Sequence, residues 1–393
     1  MTAVEDRLVH PAESAVDEGS ALLRAATAAG YGTRVRELLD HGWPDSAGYD
    51  TELMLWAADY GAYQVIHNRL DEYTTKPMLH LARGWVDVDP VAELKRRLDD
   101  AHAVVQRQVV AVDVHENAEC IRATSADGRW IQVQTAHLAI VTYIEELLGI
   151  GASLDELKAR ALLDRIPNSV NWNQSWHSAT KRLDTVATTR WAMGVLQDPD
   201  ARARLFAAEV LHTLAVGPAP CRDEVLLLLR TRLTAESDAD VLTRVITAFA
   251  EYNDLGLLPE IVAHAEHHDP RVRRQVAEEL SSALMNPASM SAGADLLAAL
   301  ASDHDGRVRA SAIRVLCTHA FEHPMTGRAI ATNRDDPDPY VRPEVLSAMA
   351  RAGDATACTE LARLADEAEP GSQLAMMAYD AEHWALKIAS ADA

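Results

Sequence analysis

A five-residue signature recurs through the second half of this chain, and its spacing limits the architectures open to it. Five segments superpose: Asp198-Pro199-Asp200-Ala201-Arg202, Asp238-Ala239-Asp240-Val241-Leu242, Asp269-Pro270-Arg271-Val272-Arg273, Asp305-Gly306-Arg307-Val308-Arg309 and Asp338-Pro339-Tyr340-Val341-Arg342. Their starts lie 40, 31, 36 and 33 residues apart. Each opens an apolar-periodic run such as LFAAEVLHTLA or VRASAIRVLCTHA. A period of this length marks units that bury their apolar faces only against neighbours.

The chemistry of the signature is local. Aspartate caps a helix because its carboxylate accepts the orphan amides of the first turn. Proline suits the first helical position, where its missing amide costs nothing. The Val or Ala begins the buried stripe. The Arg, four residues after the Asp, reaches a carboxylate of the same or a neighbouring repeat. The pairs Asp198/Arg202, Asp269/Arg273, Asp305/Arg309 and Asp338/Arg342 are therefore expected to form caps and a ladder, with a break at Leu242. A helical run precedes each signature, over 184–197, 222–235, 257–267, 292–302 and 327–333. The unit is helix A, a turn, the cap, then helix B. A further pair over 354–367 and 373–389 lacks the cap motif, as expected of a terminal unit with a polar outer face.

This half resembles the HEAT-like repeat family, in the short form of the phycobilisome lyases. The resemblance implies an all-α solenoid: a right-handed superhelix of antiparallel helix pairs whose B helices line the concave side. The N-terminal part resembles ankyrin repeats. Leu23–Gly30 with Leu38-Leu39 and His41-Gly42, then Met54–Gly61 with Val65-Ile66, give glycines 31 residues apart. Leu79–Gly84 begins a third copy, and Ala136–Ala139 with Leu147-Leu148 hides a fourth. His80 and His137 fall at the ankyrin histidine, whose implied role is a hydrogen bond between loops. Between the arrays, Glu119–Thr124 and Arg129–Gln134 alternate around Ser125-Ala126-Asp127-Gly128, a hairpin signal. The expected organisation is a flexible terminus over 1–17, ankyrin-like repeats over 18–108, a hairpin and connecting helices over 109–160 with at most one short hairpin near 109–134, and HEAT-like repeats over 161–393.

Composition narrows the partner. The 393 residues carry 59 acidic against 37 basic side chains, a net charge of −22. Phosphate neutralisation needs a basic surface, so nucleic acid is an unlikely partner. Only Arg271, Arg273, Arg274, Arg307 and Arg309 form a local basic group. No apolar run reaches the ~20 residues of a membrane span, and the acidic start lacks the core of a signal peptide. Cys120, Cys221, Cys317 and Cys358 form no paired motif and fit a reducing cytoplasm.

The sequence contains no GxGxxG after a strand, no GxxxxGK[ST], no HExxH and no GxSxG. Three constellations bear on chemistry. His264, His267 and His268 share a helix end where a metal can be imagined, but His there also suits the helix dipole; His319 and His323 form a similar pair. Trp172, Trp176 and His177, with Trp191 one helix on, gather aromatic faces beside Asn171 and Asn173. Such a platform stacks a ligand, or it fills a joint between arrays. Glu116, Glu119, Asp127, Glu145 and Glu146 surround the hairpin and read as solvated surface. The leading function is a non-catalytic scaffold that binds a protein or peptide with basic patches and uses no cofactor, its ligand site placed at Trp172, Trp176, His177 and Trp191. The alternatives are a lyase-like or DNA-glycosylase-like enzyme on the same solenoid, or an acidic DNA mimic.

Overall fold

The computed structural model describes residues 51–67, 74–113, 116–166, 168–366, 374–380 and 383. The expected flexible terminus, the first ankyrin-like copy and most of the segment 373–389 lie outside the described residues. The chain divides into two compact units, Met1–Trp191 and Ala192–Ala393.

In the first unit, α1 (Thr51–Tyr60), α2 (Tyr63–Ile66), α3 (Thr75–Arg83) and α4 (Pro90–Leu98) precede β1 (Val104–Asp113), β2 (Glu116–Thr124) and β3 (Trp130–Gln134). Then follow α5 (His137–Leu147), α6 (Leu154–Leu163) and α7 (Val170–Thr180), with α8 (Thr185–Val195) crossing the division. Helix α1 packs on α3, α3 on α5, and α5 on α7. Met54, Ala57, Ile66, Met78, Ile140 and Ile144 fill the core between them. Each Met or Ile side chain taken from water is worth about 1.5–3 kcal/mol.

The hairpin expected around Asp127-Gly128 is present, with Gly128 at φ +85°. It belongs to a larger antiparallel sheet of order β1-β2-β3. Strand β1 pairs with β2 from Val104↔Thr124 to Ala111↔Asn117. Its residues 106–109 all face solvent, so this strand shows little of the alternation that betrays a half-buried one. Helix α4 covers β2 and β3, burying Leu94, Leu98, Ile121 and Val133 with Trp85. The expected boundary at 160/161 lies inside this unit, because α7 packs on both α5 and α6.

The second unit contains α9 (Ala201–Ala215), α10 (Arg222–Ala235), α11 (Ala239–Tyr252), α12 (Pro259–Val262), α13 (Pro270–Glu279) and α14 (Ser281–Met285). It continues with α15 (Met290–Leu300), α16 (Gly306–His319), α17 (Pro324–Thr332), α18 (Val341–Arg351) and α19 (Ala355–Asp366). The B helices α9, α11, α13, α16 and α18 pack one on the next. The A helices form a second layer, with α10 on α11 and α15 on α16. This is the expected α-solenoid of helix pairs. No helix among the described residues is long and apolar enough to cross a membrane.

Candidate functional site

The repeat signature builds the turn between each A and B helix. Asp238, Asp269 and Asp305 cap their helices by accepting the amide two residues on, at 3.0, 2.9 and 2.9 Å. Asp338 accepts the Tyr340 amide at 2.9 Å, but α18 begins one residue later and Tyr340, at its cap position, makes no side-chain cap. In the first repeat the cap is Asp200, which takes the Arg202 amide at 2.9 Å, while Asp198 accepts the amide of Asp200. The register is set by the buried stripe Ala203, Phe206, Ala207 and Val210, which requires the helix to start at Ala201. The cap and rung assigned to Asp198 and Arg202 therefore pass to Asp200 and Arg204.

The ladder forms, but its acceptors lie two residues before the caps. Arg204 donates to both oxygens of Glu236 at 2.8 Å. Arg273 donates to both oxygens of Asp303 at 2.7 Å. Arg309 holds Asp336 at 2.9 and 3.1 Å. Each acceptor also takes an amide of its own turn: Asp238 on Glu236, Asp305 on Asp303, Asp338 on Asp336. Each arginine in turn grips its own turn, as Arg273 does through the His267 carbonyl at 2.7 Å. Arg342, in the last signature, reaches Glu360 on α19 instead, at 3.1 and 2.6 Å. Burial, the largest single influence, pushes the Glu236, Asp303 and Asp336 carboxyls up, but the arginine hydrogen bonds, the turn amides and the arginine charge together hold them below their ordinary values.

Leu242 leaves one rung without a donor, and the matching acceptor position is His267 rather than an acid. The His267 Nδ1 accepts the Asp269 amide at 3.1 Å, doing for that turn what a carboxylate does elsewhere. The His264 and His267 rings are 6.2 Å apart and those of His267 and His268 4.2 Å. The described residues hold no group of three or more His, Cys, Asp or Glu placed to bind a metal.

The five arginines of the basic group separate into three roles. Arg273 and Arg309 are rungs, and Arg271 bridges Asp240 and Asp269 at 2.5 and 2.7 Å. Arg274 and Arg307 line a groove of about 460 Å³ across α13, α16 and α18, together with Glu278, Arg314, Tyr340 and Glu344. Arg307 stacks over the Tyr340 ring at 4.5 Å and donates to its hydroxyl at 2.6 Å. Arg314 holds Glu278 at 3.2 Å. Tyr340 is half exposed. Burial pushes the Glu344 carboxyl up to about 7, against the pull of Arg314. Only the spacing of Arg307 and Arg314 on one helix face hinted at this groove in the sequence.

The tryptophan-histidine group is divided between α7 and α8. Trp172, Trp176 and His177 ride on α7, where Ser169 caps the helix through the Asn171 amide at 3.2 Å. Asn171 is buried and ties three segments, donating to Thr135 O at 2.7 Å and Asp164 at 2.6 Å while accepting the Ala139 amide at 2.7 Å. Trp172 and Trp176 are half-buried, and Trp176 meets the His177 ring edge-on at 5.5 Å. Trp191 donates its indole N–H to Asp155 at 3.0 Å. Of the four, His177 alone lines a cavity of about 160 Å³, shared with Tyr63, Gln64, His67, Asp113 and Glu116. His137 is buried against Trp85, with its Nε2 3.1 Å from Asp59 O, and burial pushes it down to about 4.

A family model for HEAT repeats matches residues 226–317 and 293–379. Among solved structures, YibA of Escherichia coli matches at 21% identity and TM-score 0.42, over 54% of this chain and 75% of that one. An engineered protein matches at 14% identity and TM-score 0.38, over 98% of both chains. No curated protein matches this chain.

Proposed function

Taking as premise that the C-terminal half carries HEAT repeats, we propose that this protein is a cytoplasmic scaffold that receives an extended segment of a partner protein along its B helices. The observation that carries the reading is the groove of about 460 Å³ across three successive B helices. It presents the half-exposed Tyr340 ring under the Arg307 guanidinium, and Tyr and Arg are over-represented among residues that carry binding energy. The groove mixes Arg274, Arg307 and Arg314 with Glu278 and Glu344, so the segment that fills it brings charges of both signs. The net charge of −22 favours a partner whose remaining surface has basic patches. Cys120, Cys221, Cys317 and Cys358 form no disulfide, which suits a reducing compartment. In the first unit, we read α1, α3 and α5, packed in sequence, as leading helices of ankyrin-like units with the sheet inserted between the third and fourth.

The test is affinity capture from the native host with the parent chain and with Arg307→Ala and Tyr340→Ala. A partner retained by the parent and lost by both variants, at unchanged melting temperature, supports the reading. Identical captures by all three chains overturn it.

A further inference from the structure

Strand β1 is the outer strand of the sheet in the first unit, with β2 on its one paired side. The Thr135 amide donates to Glu119 O at 2.9 Å, so the Glu119 backbone points toward β3 and away from β1. Directly opposed residues of an antiparallel pair either share two hydrogen bonds or turn both sets of backbone groups away. Val109, the partner of Glu119, therefore points its amide and carbonyl out from the sheet, and Val105, Arg107 and Ala111 do so in step with it. Among the described residues, no backbone hydrogen bond joins 104–111 to any segment but β2.

An open edge of this kind pairs readily with another strand, and proteins blunt it with Lys, Pro, a bulge or a short strand. Strand β1 is ten residues long and has neither Lys nor Pro, and its register shift lies at the far end, between Ala111 and Asp113. Val104 and Val109 are 66% and 54% exposed. The one charge over 104–111, Arg107, is held by Glu119 at 2.8 Å.

The order of residues along this edge selects its occupant. Ala103-Val104-Val105-Gln106-Arg107-Gln108-Val109-Val110-Ala111 reads the same in both directions. Antiparallel pairing of two copies about a two-fold axis at Arg107 sets Val105 opposite Val109, Gln106 opposite Gln108 and Val104 opposite Val110. The outward amides at 105, 107 and 109 are symmetric about the same point, so each meets a carbonyl of the other strand. Valines pack well across strands, and opposed glutamines hydrogen-bond. The two Arg107 side chains meet at the axis, each paired with its own Glu119. A contact of this kind uses the same patch on both copies, which is what closes a dimer.

We propose that β1 pairs antiparallel with β1 of a second copy of this chain, about a two-fold axis at Arg107, so that two three-stranded sheets become one continuous sheet.

Sedimentation of the intact chain from about 1 μM to about 1 mM tests the pairing. One strand pair is a small contact, so a reversible dimer with a dissociation constant of about 1–100 μM is expected. Salt should tighten it, because each copy carries a net charge of −22. As the dimer fills, hydrogen exchange at the Val105, Arg107 and Val109 amides should slow, since these are the amides that gain a partner. Val109→Pro deletes an outward amide and leaves the bonds to β2 in place, so it should weaken the dimer by about tenfold or more with little change in melting temperature. Arg107→Cys sets thiol opposite thiol with Cα atoms about 5.5 Å apart, so mild oxidation should cross-link it far faster than the parent chain. A monomer at every concentration overturns the proposal. So does a dimer whose Val105, Arg107 and Val109 amides exchange as the monomer's do, or an Arg107→Cys dimer that oxidation leaves unlinked. Exchange in the parent chain decides the matter even where Val109→Pro fails to fold.

Discussion

Asp303 holds the Asp305 amide at 2.8 Å with the same carboxylate that receives Arg273, so one side chain fixes both the turn and the rung. The two ends of the motif therefore differ in worth. Asp269→Ala or Asp305→Ala removes a cap and should cost about 0.5–2 kcal/mol in urea unfolding. Arg273→Ala should cost more, about 3 kcal/mol, because it strands a carboxylate whose side chain is 8% exposed. Equal losses would mean the rung adds nothing to the cap. The carboxyls on the B-helix face act the other way. Burial pushes Glu279 and Glu344 up to about 7 from an ordinary 4.5. Between those values the folded chain holds more protons than the unfolded one, so their contribution to stability falls as pH rises through that window. Glu344→Gln should therefore gain stability over the parent more at pH 8 than at pH 5, by thermal unfolding at each pH. A gain independent of pH would show that Glu344 does not titrate there.

Among the elements, the A–B turn is where the sequence speaks most clearly. Caps were legible because Asp is strongly favoured at the helix cap and Pro is favoured just after it. The ladder acceptors were not, since Glu236, Asp303, Asp336 and the histidine at 267 share a place in space but no residue type. Strand β1 escaped notice because its outward residues mask the alternation, and the groove because nothing local says which arginines the ladder leaves over. The missing rung gives a test of the turn as a unit. Leu242→Arg alone should destabilise, burying a guanidinium at a site 1% exposed with no carboxylate to meet it. Leu242→Arg with His267→Asp should recover about 0.5–3 kcal/mol of coupling in a double-mutant cycle. Additive losses would show that the two positions do not meet. In the first unit, Gly61 sits at φ +79° with its missing Cβ 2.1 Å from Gln134 O. Gly61→Ala should cost about 2 kcal/mol or more, whereas Gly128→Ala, at φ +85° with open space, should cost only the ~1 kcal/mol of backbone strain.

For the whole molecule, the excess of 59 acidic over 37 basic side chains means that long-range repulsion opposes the compact state. Salt screens exposed charges beyond a Debye length of about 8–10 Å but reaches buried rungs far less. Melting temperature should accordingly rise with sodium chloride, and a fall would mean that exposed ion pairs outweigh the repulsion. The buried rungs have a further consequence for how such a chain can grow. Arg273 and Asp303 lie in one stretch from cap to cap, as do Arg204 and Glu236, and so do Leu242 and His267, which hold the matching positions. A cap-to-cap block thus carries its own donor with its own acceptor. Copying the block 269–304 in tandem, or excising it, leaves no rung half-made. The array can change length by whole blocks and inherit a finished turn each time, and a tandem copy of 269–304 should fold as readily as the parent.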